Sequence, residues 1–144
     1  MSGGTSLYQA VILDHNRQPR NFRPLPAAAS QAVAHNPLCG DTVEIGVVVR
    51  DGEVSEISFQ GESCAVATAS ASLLTETLQG RGVPAALSLC DQYVAALAGT
   101  ADPPELPDAL RPLLTVRRFP GREQCAALPV QAIRAALRRF SGAD

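Results

Sequence analysis

Long apolar runs are missing from this sequence of 144 residues. No stretch approaches the roughly 18 consecutive apolar residues that a membrane-spanning helix requires. The N-terminal residues 1–9 also lack the basic start and the apolar segment of a secretory signal peptide. We therefore expect a chain without a signal peptide or a membrane partner, located in the cytoplasm.

Aromatic side chains are scarce as well, and positive charge is not concentrated. The chain has no tryptophan, two tyrosines and four phenylalanines, and its formal net charge is −2. Nucleic-acid sites usually combine a basic groove with aromatic side chains on which bases stack. Because neither part is present, the sequence predicts no nucleic-acid partner.

The composition is that of a folded chain. Apolar residues make up 46% of the sequence and charged residues 18%, which are ordinary values for a globular protein. The length accommodates one domain with a genuine core and is short for two. We predict a single domain over residues 1–144, with residues 1–5 disordered.

A β-hairpin is the clearest local signal. Apolar residues alternate over 43–49, and Asp51-Gly52 is typical of a type I′ turn. The return strand is predicted to carry Val54 to Phe59. Residues 32–35 form a weaker strand candidate ahead of the hairpin.

Helical patterns fill most of the remaining sequence. Ser6 is predicted to cap a first helix, and Pro129 to kink or restart the last one. Helices are also predicted over 65–78, 83–97 and 123–140, with one or two helical turns at 109–114. The expected fold class is α+β, a small antiparallel three-stranded sheet packed with about four to six helices.

The four cysteines are the main candidates for functional residues. In a reducing compartment, cysteines are more often metal ligands or reactive thiols than disulfide partners. Cys90 shares one helix face with Leu87 and Val94, so we expect it to be a core residue. The sequence has no CxxC pair, which argues against a thiol–disulfide oxidoreductase.

Cys39, Cys64 and Cys125 have a different setting. Cys39 lies in a Pro- and Gly-containing turn, and Asp41 follows it at a spacing that lets both face one side. Cys64 and Cys125 lie near predicted helix N-termini, where a thiolate is favoured. The hairpin brings Cys39 near Cys64, whereas spacing alone does not place Cys125.

These residues allow two kinds of site. Three thiolates and a carboxylate suit a tetrahedral zinc ion. Soft sulfur ligands suit an iron–sulfur cluster equally well. Because the intervals between the cysteines are long, spacing alone leaves both open.

Four ordered blocks extend this interpretation over nearly the whole chain. They are Leu7-Tyr8-Gln9 with Ile12-Leu13-Asp14-His15, Asn36-Pro37-Leu38-Cys39-Gly40-Asp41, Gly61-Glu62-Ser63-Cys64 with Ala69-Ser70-Ala71-Ser72, and Arg122 with Cys125 and Leu128. In these blocks the chain resembles the IscU/NifU-like family of iron–sulfur cluster assembly proteins. Gln124 replaces the histidine of the IscU type, and an extra helical segment separates Cys64 from Cys125, so the resemblance is greatest to the SufU branch.

The resemblance implies an IscU/SufU-like domain with zinc held by Cys39, Asp41, Cys64 and Cys125. It also implies a partner, a pyridoxal-phosphate-dependent cysteine desulfurase of the SufS type, whose docking displaces one zinc ligand. Cys39 is then expected to accept persulfide sulfur and to pass it on for cluster synthesis. Arg122 is expected to have an accessory role, with an ordinary surface arginine as the alternative.

Two other functions stay open. The same Cys39, Asp41, Cys64 and Cys125 could hold a transient [2Fe–2S] or [4Fe–4S] cluster, which would make the chain a non-enzymatic scaffold that supplies downstream assembly factors or apo-proteins. The other alternative is a structural zinc-binding module that serves only for interaction. An aspartate ligand and ligands on loops are poor choices for a permanently closed site.

Overall fold

The helices and strands follow one another in an order that separates the sheet from most of the helices. The structure is a computed structural model and describes residues 3–27, 29–99 and 103–141. Its elements are α1 (Gly3–Arg17), β1 (Ser30–Asn36), β2 (Asp41–Arg50), β3 (Glu53–Gln60), α2 (Ala65–Leu78), α3 (Val83–Leu97), a 3₁₀ helix (Asp108–Arg118) and α4 (Arg122–Ser141). The three strands and five helices within these ranges confirm the α+β prediction.

The sheet is antiparallel with strand order β1-β2-β3. In the β2–β3 hairpin, Ile45 pairs with Phe59 and Val47 with Ile57, and all four side chains are buried. Asp51 has φ 54° and Gly52 has φ 77°, the two left-handed residues that a type I′ turn requires. The alternating pattern thus directs one face of the hairpin into the core, as the sequence predicted.

The helices cover that face of the sheet. α4 packs against β1 and β2, while α2 and α3 pack against α4 and α1 packs against α2. Leu74, Ile133 and Leu137 are fully buried where these elements meet. In the described ranges, no helix combines the length and apolar character needed to cross a bilayer.

Some element boundaries differ from the prediction. α1 begins at Gly3, so Ser6 lies inside the helix and the predicted N-cap is wrong. The predicted disorder of residues 1–5 stays a prediction for residues 1 and 2, which lie outside the described ranges, while α1 includes residues 3–5. α4 runs without interruption through the buried Pro129, so the helix does not restart there. At Pro129, which is buried, tertiary packing overrides the low helix propensity of proline.

Two loops meet at one end of the sheet. The loop after β3 is held against the start of β2 because Thr42 N donates to Glu62 O at 2.8 Å. Gly61 has φ +127°, and a Cβ there would collide with the backbone carbonyl oxygen of Thr42. Glycine at this position therefore lets the loop that carries Cys64 approach the loop that carries Cys39.

The close approach at Gly61 gives a stability prediction. Gly61→Ala should lower the free energy of unfolding by about 3 kcal/mol or more, because the strain of a positive φ and the steric clash both destabilise the fold. Gly80→Ala is the matched control, since Gly80 has φ +88° but open space around a Cβ. In Gly80→Ala the free energy of unfolding should fall by only about 1–2 kcal/mol, because only the strained backbone contributes. Urea unfolding of both variants measures these free energies. Equal losses in the two variants would contradict the close contact between the two loops at Gly61.

Candidate metal centre

Three potential metal ligands converge beside the sheet. Ligand atoms of Cys39, Asp41 and Cys125 all lie within 4.8 Å of one another. Cys39 is on the β1–β2 loop, Asp41 is the first residue of β2, and Cys125 is in the first turn of α4. α4 thus brings Cys125 to the hairpin, a contact that sequence spacing did not supply.

Asn36 organises the loop that presents Cys39. Its carbonyl oxygen accepts from Cys39 N at 3.2 Å and from Gly40 N at 2.8 Å, while its side-chain oxygen accepts from Leu38 N at 3.1 Å. Its Nδ2 is 3.5 Å from the Cys39 sulfur. Gly40 supports the turn with φ +74°. The result is an exposed thiol on a tightly bonded loop.

Asp41 presents an unsatisfied buried oxygen to this centre. The side chain is 6% exposed, and its Oδ1 accepts from Cys64 N at 3.0 Å. Its Oδ2 is buried without a hydrogen-bond partner among the described residues. A buried carboxylate oxygen without a partner is costly, and a bound cation would remove that cost. The residues present therefore fit a metal ion.

Cys64 lies next to the group rather than within it. It is the N-cap of α2, and its sulfur accepts from Ala67 N at 3.4 Å. Its backbone N–H donates to Asp41 Oδ1, and its sulfur interacts with Cys125 in a way that raises the pKa of that thiol. Only three of the four predicted ligands thus form the close group, and the role of Cys64 as a ligand stays a prediction.

Cys125 is the most buried of the site thiols, at 2% exposed. Its pKa is raised to about 12, first by burial and then by hydrogen bonding and negative charge from Cys64 and Cys39. Several thiolates and a carboxylate at this distance repel one another unless a cation lies among them. Thiolates together with a carboxylate can coordinate Zn²⁺. The same ligands can also hold an iron–sulfur cluster.

Two further side chains border the centre. Tyr8 of α1 stacks on Phe119, with ring centroids 6.1 Å apart and planes 19° from parallel. Burial raises the pKa of Tyr8, Arg122 opposes that rise, and Cys64 and Cys125 add to it. Arg122 itself is exposed at the start of α4. Tyr8 was not predicted as a site residue, although it belongs to the first of the matching blocks.

The remaining predicted residues lie as follows. Cys90 is fully buried in α3, which confirms it as a core residue. Gln124 is exposed and lines a groove of about 340 Å³ between the Cys39 loop and α4, with Leu38 on the opposite wall. The groove is lined by Leu38 and Gln124, the sequence neighbours of Cys39 and Cys125, and Cys39 itself is exposed.

Comparisons with known proteins agree over nearly the full length. The family model of the NifU-like N-terminal domain matches residues 7–144. The chain is 30% identical over 139 residues to the iron–sulfur cluster assembly scaffold protein IscU of Streptococcus pyogenes serotype M1, covering 96% of this chain and 87% of that protein. It is also 30% identical over 141 residues to the zinc-dependent sulfurtransferase SufU of Bacillus subtilis strain 168, covering 96% and 95%. The fold matches the crystal structure of the N-terminal part of a nitrogen-fixing NifU-like protein from Brucella abortus, with a TM-score of 0.84, 22% identity and coverage of 95% and 96%.

The unpaired oxygen of Asp41 gives a direct test of the centre. Asp41→Asn can keep the acceptor for Cys64 N but replaces a potential metal ligand with an amide. We expect zinc affinity to fall by about 100-fold or more, at least the loss seen when residues supporting a metal ligand are changed. Competition with a chromophoric chelator measures the affinity, and thermal unfolding of the metal-free proteins checks that the fold is kept. Unchanged zinc affinity would exclude Asp41 as a ligand.

Proposed function

The chain belongs to the family of NifU-like N-terminal domains, and from this premise we propose that it acts in iron–sulfur cluster assembly. Its role there is to accept persulfide sulfur from a cysteine desulfurase in a zinc-dependent manner and to pass it on for cluster synthesis. The observation that best supports this role is the exposed Cys39 thiol beside the buried Cys125 and Asp41. Such a centre combines a reachable nucleophile with fixed ligands.

The zinc ligands of this proposal are Cys39, Asp41, Cys64 and Cys125. Zinc supplies positive charge that keeps bound thiols deprotonated. The protein contributes a buried side with Cys125 and Asp41 and an exposed side with Cys39. Because Cys39 is exposed while Cys64 is half-buried and Cys125 is buried, Cys39 is the thiol most open to an incoming protein.

The sulfur transfer proposed for Cys39 needs no external oxidant. Its thiolate attacks the outer sulfur of the donor's cysteine persulfide and forms a new sulfur–sulfur bond. The donor's own sulfur–sulfur bond breaks, and its cysteine leaves as a thiolate. The outer sulfur keeps its proton, so one persulfide and one thiolate stand on each side of the equation.

The proposed donor is a pyridoxal-phosphate-dependent cysteine desulfurase of the SufS type. Leu38, immediately before Cys39, is 85% exposed and offers an apolar contact at the reacting loop. Arg122 is exposed one helical turn before Cys125. Its charge could either steady a thiolate or contact the donor, and this accessory role stays a prediction.

A second candidate function is favoured by the open side of the centre. The same four residues could hold a [2Fe–2S] or [4Fe–4S] cluster as cargo, because iron–sulfur clusters are held by thiolates. An exposed Cys39 would then serve cluster release to an apo-protein. A purely structural zinc module accounts less well for an exposed ligand on a loop, since structural sites are closed.

Cys39 is the residue that tests sulfur acceptance. When the zinc-loaded protein is mixed with a desulfurase and cysteine, mass spectrometry of peptides should find one added sulfur atom on Cys39. Cys39→Ser should lower both persulfide formation and stimulation of the desulfurase by about tenfold or more, because serine is a far weaker nucleophile toward sulfur. Cys90→Ala is the matched control, since Cys90 is a buried thiol outside the site.

The outcomes separate the candidate functions. Full stimulation by Cys39→Ser would contradict Cys39 as the acceptor. A chromophore with labile sulfide that moves to an apo-protein, formed without a persulfide on Cys39, would favour the scaffold. Zinc that stays bound while the desulfurase is unaffected would support the structural module and overturn the proposal.

A further inference from the structure

A buried chain of hydroxyl groups connects three helices behind the metal centre. Tyr93 of α3 and Ser70 of α2 have their hydroxyl oxygens 2.9 Å apart. Ser70 also donates to the carbonyl oxygen of Ala126 in α4 at 2.6 Å. All three residues are fully buried. These hydroxyl groups contribute no ligand to the metal centre.

The donor and acceptor in each of these hydrogen bonds follow from the number of hydroxyl hydrogens. A serine hydroxyl has one hydrogen, and that of Ser70 is used on the Ala126 carbonyl. The short contact with Tyr93 therefore requires the tyrosine to donate and the serine to accept. Both bonds then point from α3 through α2 into α4. Hydrogen bonds arranged in this way polarise and strengthen one another.

The chain ends at the helical turn that carries Cys125. Ala126 follows Cys125, and Pro129 lies farther along the same helix. Because Pro129 has no N–H, it cannot donate to the Cys125 carbonyl, so the first turn of α4 lacks one internal hydrogen bond. The bond from Ser70 holds this weakened turn from outside. Since α2 also carries Cys64 at its N-cap, the same bond fixes the register of the two helices that supply these thiols.

We propose that Ser70 and Tyr93 are positioning residues that set the place of the Cys125 thiol in the metal centre. This role rests on the zinc site of the proposed function. It gives α3, one of the two helices that lie between α2 and α4 in the sequence, a part in the centre although α3 supplies no ligand. Without these two hydrogen bonds the metal ligands are still present, but the first turn of α4 can shift. This shift lowers the metal affinity.

The test compares hydroxyl deletions that differ in their distance from Cys125. Ser70→Ala, Tyr93→Phe and the double variant remove the chain in steps. Ser30→Ala is the matched control, because Ser30 also donates a buried serine hydroxyl to an α4 carbonyl, that of Ala136, at 2.9 Å. Ala136 lies about 16 Å along the helix axis from Cys125.

Two measurements distinguish positioning from general stability. We expect Ser70→Ala to lower zinc affinity about tenfold relative to Ser30→Ala, as loss of residues that support metal ligands does, with Tyr93→Phe between the two. Chelator competition provides the affinities. Absorption bands of bound Co²⁺, which depend on ligand geometry, should change in Ser70→Ala and stay unchanged in Ser30→Ala.

The possible results each decide the matter. Equal zinc affinities and Co²⁺ spectra in Ser70→Ala and Ser30→Ala would overturn the positioning role while leaving the zinc site intact. If Ser70→Ala fails to fold, Tyr93→Phe, which keeps the ring, decides by the same comparison. If the unsubstituted protein does not hold zinc tightly, the proposed zinc site fails first, and the positioning role fails with it.

Discussion

The carboxylate of Asp41 is the constraint on which the rest of the centre depends. One of its oxygens holds the backbone of Cys64, and the other is buried with no hydrogen-bond partner among the described residues. Together with the neighbouring thiols, it forms a group of donors that repel one another when charged. Only a cation lets all of them be charged at once. The fold brings these donors together by joining two loops of the sheet to the first turn of α4.

The centre has two unequal sides, and this asymmetry supports the proposed chemistry. Cys125 is buried and belongs to a helix, whereas Cys39 is exposed on a loop. A ligand set that was buried throughout would suit a permanent structural ion. One reachable thiol among fixed ligands suits a site that exchanges something with a partner, either sulfur or a cluster. The hydroxyl chain from Tyr93 through Ser70 maintains the fixed side.

Much of this arrangement is predictable from local sequence, and the rest depends on tertiary packing. Alternating apolar residues and Asp51-Gly52 define the hairpin, because strand periodicity and turn chemistry are local properties. The approach of Cys125 requires α4 to pack across the sheet, which spacing along the chain cannot reveal. Ser70 belongs to one of the matching blocks and Tyr93 does not, and their hydrogen bond could not be predicted because it exists only once α2, α3 and α4 have packed together. The start of α1 at Gly3 is not predictable from local propensity, because the two glycines at its start are poor helix formers.

The central claim is that one zinc ion is held by three thiolates and one carboxylate. X-ray absorption at the zinc edge, on the protein purified without chelators, tests it most directly. We predict stoichiometric zinc with about three sulfur neighbours at about 2.3 Å and about one oxygen neighbour at about 2.0–2.2 Å. A zinc shell of nitrogen and oxygen alone, or the absence of bound zinc, would contradict the account.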